Sequence, residues 1–194
     1  MAGDSELLGR LLGGDEEAFA ELACRYHGSV VRLAAAFVPG CALAEDVAQD
    51  TWLGLLDGAG RFDGRAPVKT WLFRILISRA DRAGEQPGHS VPAGDPAAGP
   101  GRFDATGGWA YPPQPWPQDA EERLCAHGAR QLIRSALDDL PPGPRRVVLL
   151  RDVEGLASGE VCALLGIDEA SQRLLLHRGR ARVRRALAQE AGRW

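Results

Sequence analysis

The chain has 194 residues, 45% of them hydrophobic, and a formal net charge of -3, which suffices for one ordinary domain or two small ones. No run approaches the roughly 18 to 20 apolar residues that cross a bilayer. The N-terminus MAGDSELLGR has neither the basic flank nor the apolar core of a signal peptide, so no membrane insertion and a cytoplasmic location are expected.

A short first helix is expected near Ser5 to Leu12. DEEAFAELACRYHGSVVRLAAAFVPG then opens with Asp15 as an N-cap and closes at Pro39-Gly40, with Phe19, Leu22, Ala23, Tyr26, Val30, Leu33 and Phe37 at helical spacing. A third helix is predicted from about Ala42 to Ala59 and a fourth from Val68 to Arg82, making residues 1–83 a four-helix domain. From Gly84 to Gln118 the chain is too dense in Gly and Pro to sustain helix or strand. It reads as a flexible linker over 84–118, and whether Phe103, Trp109, Tyr111 and Trp116 dock on the domains is left open by the sequence.

Residues 119–194 form the second domain. EERLCAHGARQLIRSALDDL is a predicted helix stopped by PPGP, and RRVVLLRDVEG a second stopped by Gly155. SGEVCALL, a turn GID and a long helix from about Glu169 complete a helix-turn-helix, with Asp168 placed to cap the last helix. The fold class is all-α, two small helical domains joined by a Gly/Pro-rich linker. Ala157 stands where a side-chain cap would serve. Gly159 and Gly179 fall inside predicted helices where Ala is better by about 1 kcal/mol, so the second domain is expected to be marginally stable alone.

Charge is distributed in blocks. Residues 1–64 hold four Lys and Arg against eleven Asp and Glu, 65–82 five against one, 83–144 four against eight, and 145–194 ten against six. Two basic stretches in an acidic background point to a polyanion touched at two places and a basic partner met elsewhere. From Ser171 to Arg185 there are six arginines and no acid. At about 100° per residue, Leu175, Leu176, Val183, Ala186 and Leu187 share one face of that helix, and Arg173, His177, Arg178, Arg184 and Arg185 lie largely opposite. Phosphate contact is the expected use of the basic face. The first turns of the second helix of such a motif meet base edges, which assigns Glu169, Ser171, Gln172 and Arg173 to base reading.

Nothing competes as a catalytic arrangement. His27, His89, His127 and His177 are scattered, and no glycine-rich phosphate loop follows a strand. Cys24, Cys41, Cys125 and Cys162 are widely spaced and expected to stay thiols, and the pair Cys125 and His127 does not make four metal ligands. No enzyme activity, cofactor or metal is expected.

Both halves resemble, in the right order, the extracytoplasmic-function (ECF) sigma factors, small dissociable subunits of bacterial RNA polymerase. AEDVAQDTW is similar to the family's polymerase-binding helix, RFDGRAPVKTWLFRILISRA to the segment that melts and reads the minus-ten element, and LPPGPRRVVLLRDVEGLASGEVCALLGIDEASQRLLLHRGRARVR to the domain that reads the minus-thirty-five element. GGWAYPPQPW is similar to a spacer of one actinobacterial-type subgroup. The resemblance implies that Asp46, Gln49 and Asp50 bind the basic clamp of core RNA polymerase. It implies that the loop from Arg61 to Pro67 forms a pocket for a base taken from the melted strand, walled by Phe62, Asp63 and Arg65 with Lys69 beside it.

On the helix that follows, Thr70, Arg74, Ser78 and Arg82 recur every four residues as a polar strip, with Arg79 a further strand contact and Trp71 assigned to the core. Ser78 and Ser171 stand where relatives often carry Asn, so the promoter sequence is not implied. The partners implied are core RNA polymerase and promoter DNA, duplex and melted, with an anti-sigma factor an expectation from the resemblance alone. Two other classes stay open. One is a ligand-responsive helix-turn-helix regulator, dimeric on palindromic DNA, and the other a sigma-like decoy that binds polymerase without reading DNA.

Overall fold

The computed structural model describes residues 3–84 and 129–191. The predicted linker beyond Gly84, with its four aromatics, and the first part of the helix predicted after it lie outside the described residues. Eight α-helices are described: α1 (Asp4–Leu12), α2 (Glu16–Phe37), α3 (Cys41–Gly58), α4 (Val68–Gly84), α5 (Ala129–Asp138), α6 (Pro142–Val148), α7 (Ser158–Leu165) and α8 (Glu169–Ala191). The first four helices lie in one compact unit, and α5, α6, the start of α7 and α8 in another. Among the described residues no helix is long and apolar enough to cross a membrane.

In the first unit α2 is the central helix and packs on α1, α3 and α4. Asp15 caps it as expected, accepting from the Glu17 and Ala18 N–H groups at 3.0 and 3.3 Å. Arg10 donates to the same carboxylate at 2.8 Å, and this bond leads the causes that hold Asp15 below its ordinary range. The α1 helix buries Leu7 and Leu8, and is pinned at its start where the Asp4 carboxylate accepts from Arg25 and from the Tyr26 hydroxyl. Burial, then that carboxylate, push Tyr26 up to about 12, so its hydroxyl stays a neutral donor. Trp52 of α3 is buried edge-on to Phe19, centroids 5.7 Å apart, and its Nε1–H donates to His27 Nδ1 at 3.3 Å.

Glycine sets how closely α3 and α4 meet. A Cβ on Gly54 would stand 2.8 Å from Ile75 Cγ2 and one on Gly58 3.1 Å from the Trp71 ring. Spaced four apart, the two glycines make a notch that receives α4. Leu72, Phe73, Leu76, Ile77 and Ala80 fill the core behind it.

In the second unit Pro142 occupies the first turn of α6, where its missing N–H is harmless. The helix predicted to run on to Gly155 instead changes at Leu149–Val153 into a single π turn. Glu154 N–H reaches Leu149 O at 2.8 Å, Gly155 takes a φ of 73°, and Leu156 N–H returns to Leu150 O at 3.0 Å. Arg151 closes the widened turn by donating to the Leu156 carbonyl. At α7, Ala157 offers no acceptor, but Glu160 accepts from its N–H at 2.9 Å, which supplies half of a capping box. Gly166 ends that helix with a φ of 63°.

Gly179 corrects the expectation drawn from helix propensity. It is buried, and a Cβ there would stand 2.4 Å from Val148 Cγ2 and 3.3 Å from the Pro144 carbonyl oxygen. The glycine is what lets α8 lie on α6. Gly159, by contrast, is exposed with open space where its Cβ would be.

The two glycines should therefore respond oppositely to alanine. Gly159→Ala should stabilise the full-length chain by about 1 kcal/mol in urea unfolding followed by circular dichroism. Gly179→Ala should destabilise it by about 1–3 kcal/mol, because β-branched Val148 has little rotamer freedom with which to yield. Equal shifts of the same sign would show that the α6–α8 contact does not depend on glycine.

Candidate nucleic-acid interface

The outward face of α3 is built by exclusion. Ala44, Val47, Ala48 and Leu55 are buried, and the Thr51 hydroxyl turns inward to donate to Val47 O at 2.7 Å. Glu45, Asp46, Gln49 and Asp50 are left exposed as one acidic patch. That patch continues along the helix into Leu53 and Leu56, 58% and 44% exposed. Sequence reasoning missed both leucines because a helical pattern alone does not distinguish an exposed leucine from a core one.

The loop between α3 and α4 is held by its own side chains. Asp63 accepts from the Arg65 N–H at 3.0 Å and pairs with its guanidinium at 3.3 Å, with Gly64 at a φ of 71° between them. Arg61, Asp63 and Arg65 are exposed. Phe62 is half-buried, its ring 5.0 Å from that of Trp71, so the aromatic assigned to the pocket wall and the one assigned to the core lie against each other. Lys69 lies over the Phe73 ring at 5.6 Å.

Along α4, Arg74, Ser78 and Arg82 are exposed at successive four-residue steps. Thr70, expected to begin this strip, is only 4% exposed, because the first turn of α4 faces the core there. Arg79 is half-buried and runs along α3, its Nη2 3.3 Å from where a Gly54 Cβ would be, so much of its length serves the helix seam.

In the helix-turn-helix, Asp168 caps α8 as expected. Its carboxylate accepts from Ser171 N–H at 2.7 Å and from the Ser171 hydroxyl at 3.2 Å. Ser171 is thereby engaged in the cap. Gln172, expected to read a base, is 1% exposed, and its Oε1 accepts from the Ser158 hydroxyl at 3.1 Å, tying the start of α7 to that of α8. The reason is phase: Gln172, Leu175, Leu176 and Gly179 form the buried face, spaced three and four apart. The outward stripe of the first turns is Ala170, Arg173, Leu174 and His177, with Glu169 exposed at the helix start.

Farther along, Arg185 is exposed, while Arg178 and Arg184 are half-buried, Arg178 as far out as its Nε. Arg184 also borders an apolar groove formed by Ile133, Leu137, Val148, Val153, Val183 and Leu187. Arg180 makes a two-pronged pair with Asp152 at 2.8 and 2.6 Å, so one of the six arginines of this stretch holds the π turn to α8. Among the described residues no three His, Cys, Asp or Glu side chains come together as metal ligands. Cys125, His89 and His127 lie outside them.

Comparison with known proteins agrees with this geometry. Sigma-70 region 2 matches residues 22–83, and Sigma-70, region 4 matches residues 130–183. The RNA polymerase sigma factor CarQ of Myxococcus xanthus is 31% identical over 180 residues, 93% of this chain and 95% of that protein. The ECF RNA polymerase sigma-E factor of Escherichia coli strain K12 is 26% identical over 181 residues, 93% and 92% of the two chains. Among solved structures, CnrH in complex with the cytosolic domain of CnrY shares the fold with a TM-score of 0.56 at 21% identity, covering 94% of this chain and 96% of that one. RpoE of Bartonella quintana, in complex with the anti-sigma factor NepR, has a TM-score of 0.55 at 19% identity, covering 88% and 96%.

The α8 cap predicts a pH dependence. The Ser171 N–H first, then its hydroxyl, hold the Asp168 carboxyl below its ordinary value of 3.8. Because the folded value is the lower one, its contribution is complete above the ordinary value and is lost as pH falls through the folded one. Asp168→Ala should therefore lower the thermal midpoint of the chain at neutral pH, by a gap that closes in acid below the ordinary carboxylate range. A gap unchanged down to strong acid would show that the carboxylate charge does not support the cap.

Proposed function

The chain belongs to the extracytoplasmic-function sigma factors of bacterial RNA polymerase, and we propose how its surfaces divide that work. As a sigma factor it binds core RNA polymerase and directs promoter-specific transcription initiation through contacts with promoter DNA. In our reading residues 1–83 hold polymerase and the melted minus-ten strand, 119–194 hold the minus-thirty-five duplex, and 84–118 join them. The protein acts in the cytoplasm beside the polymerase, which performs the chemistry.

The observation that carries this assignment is the separation of charge on outward helix faces. The exposed face of α3 is acidic, whereas those of α4 and α8 are basic. Asp46, Gln49 and Asp50, extended by Leu53 and Leu56, would meet a basic, partly apolar helical surface of core polymerase. Arg74, Ser78 and Arg82, with Arg61, Asp63, Arg65 and Lys69 at the loop, would follow the backbone of a single strand and receive an unstacked base. Phe62 would support that loop from below through Trp71. On α8, Arg173 would read a base edge, and Arg178 and Arg185 would hold phosphates. Since the sigma factor RpoE of Bartonella quintana is seen with the anti-sigma factor NepR, a protein of the anti-sigma class is a fitting partner here as well.

Replacing Asp46 and Asp50 together by Lys should abolish capture of core polymerase by the full-length chain and leave its helical circular dichroism unchanged. Capture equal to that of the parent would take this face out of the interface. Run-off transcription separates the competing classes. A decoy would capture polymerase without supporting a transcript, and a conventional regulator would bind palindromic duplex as a dimer without polymerase.

A further inference from the structure

The outward stripe at the start of α8 holds one residue that its surroundings do not explain. Leu174 is 40% exposed between Arg173 and His177, while the buried face of the same turns is already supplied by Gln172, Leu175 and Leu176. Single exposed leucines are common on protein surfaces and by themselves mean little. This one has a defined setting. Of the positions assigned to base reading, Gln172 is turned inward and Ser171 is engaged in the cap. What α8 presents in its first turns, after Glu169 at its start, is a polar flank, Arg173 and His177, with an apolar pair at i and i+4 beside it, Ala170 and Leu174.

Taking α8 as the helix that enters the major groove, the chemistry of the groove decides what such a pair can meet. Guanine and adenine offer acceptors and an amino group there, cytosine an amino group, and thymine alone a methyl. The arginines of the same helix bring the phosphates alongside, so the complement of this surface is duplex DNA rather than an apolar protein. We propose that Leu174, seconded by Ala170, recognises the 5-methyl group of a thymine in the minus-thirty-five element, next to the base read by Arg173. Burying one methyl should change binding about 4-fold, from about 0.8 kcal/mol per buried carbon. The contact therefore sets preference at one base pair and leaves overall affinity to the arginines.

The test rests on the assignment of α8 to the major groove and is arranged to separate the two. Holoenzyme made with the full-length chain selects its minus-thirty-five duplex from a randomised pool. Each thymine of the selected element is then replaced singly by deoxyuridine, which removes only the methyl. One replacement should weaken parental binding about 4-fold, and Leu174→Ala should lose that difference while keeping the salt dependence of the parent. Alanine is a good helix former at an exposed site, so the variant should fold. Indifference of the parental holoenzyme to every replacement, an element without thymine, or an undiminished penalty with Leu174→Ala would each overturn the proposal. Arg173→Ala tells which premise failed. If it shifts preference at a neighbouring base while the methyls are ignored, α8 reads the groove without Leu174. If it is silent too, the assignment of α8 itself falls.

Discussion

Helix α8 can lie on α6 only because position 179 has no side chain. The two helices touch where Gly179 meets Val148 and the Pro144 carbonyl, at distances a Cβ could not share. A contact of backbone against side chain fixes separation more tightly than one between long side chains, which can change rotamer. From this seat the rest of the second unit follows. Leu175 and Leu176 are carried into the core, Gln172 arrives opposite Ser158, and the remaining positions of the first turns must face outward. The first unit uses the same device at Gly54 and Gly58, which hold α4 close to α3 and thereby set where Arg74, Ser78 and Arg82 project. Both basic strips thus depend on glycine contacts within their own units.

Electrostatics then explains how an acidic chain offers basic surfaces. With a net charge of -3, the protein as a whole gains little from non-specific attraction to DNA. Attraction is local, since the Debye length at physiological salt is about 8 Å and an acidic face beyond that distance hardly weakens a phosphate contact. Two acids beside α8 are committed to its structure: Asp152 is held by Arg180 in a two-pronged pair, and Asp168 by the cap. These two carboxylates shape the helix, while Glu169 is left exposed at its start.

Local features were legible in the sequence, and tertiary ones were not. Asp15 and Asp168 cap as read, and α2 and α7 end where Pro39-Gly40 and Gly166 say they must, because capping and turn chemistry involve neighbours in the chain. The family resemblance was legible for a related reason, since it rests on ordered runs of residues. Gly179 was misread as a propensity defect, because its value lies in Val148, thirty-one positions away. Gln172 was misread because polar residues near a helix start look solvent-facing until Ser158 is known to lie opposite. The π turn at Leu149–Val153 has no sequence signature that separates it from a continuing α-helix, and Leu53, Leu56 and Leu174 are indistinguishable from core leucines in one dimension.

The polar tie between Ser158 and Gln172 bears on why this domain can read DNA at all. A pair of leucines in its place would bury well, but apolar contact is non-directional and tolerates sliding and rotation of α7 against α8. A hydrogen bond such as that from half-buried Ser158 to buried Gln172 has a narrow range of distance and angle, so it fixes the register of the two helix starts. Readout needs that precision more than it needs stability. Dispersion contact with a base loses a quarter to a half of its strength over a gap of about 0.5–1 Å, and hydrogen bonds to base edges weaken steeply with misalignment. The residue that sequence reasoning placed against the DNA thus acts from inside the domain, holding in position the side chains that α8 turns outward.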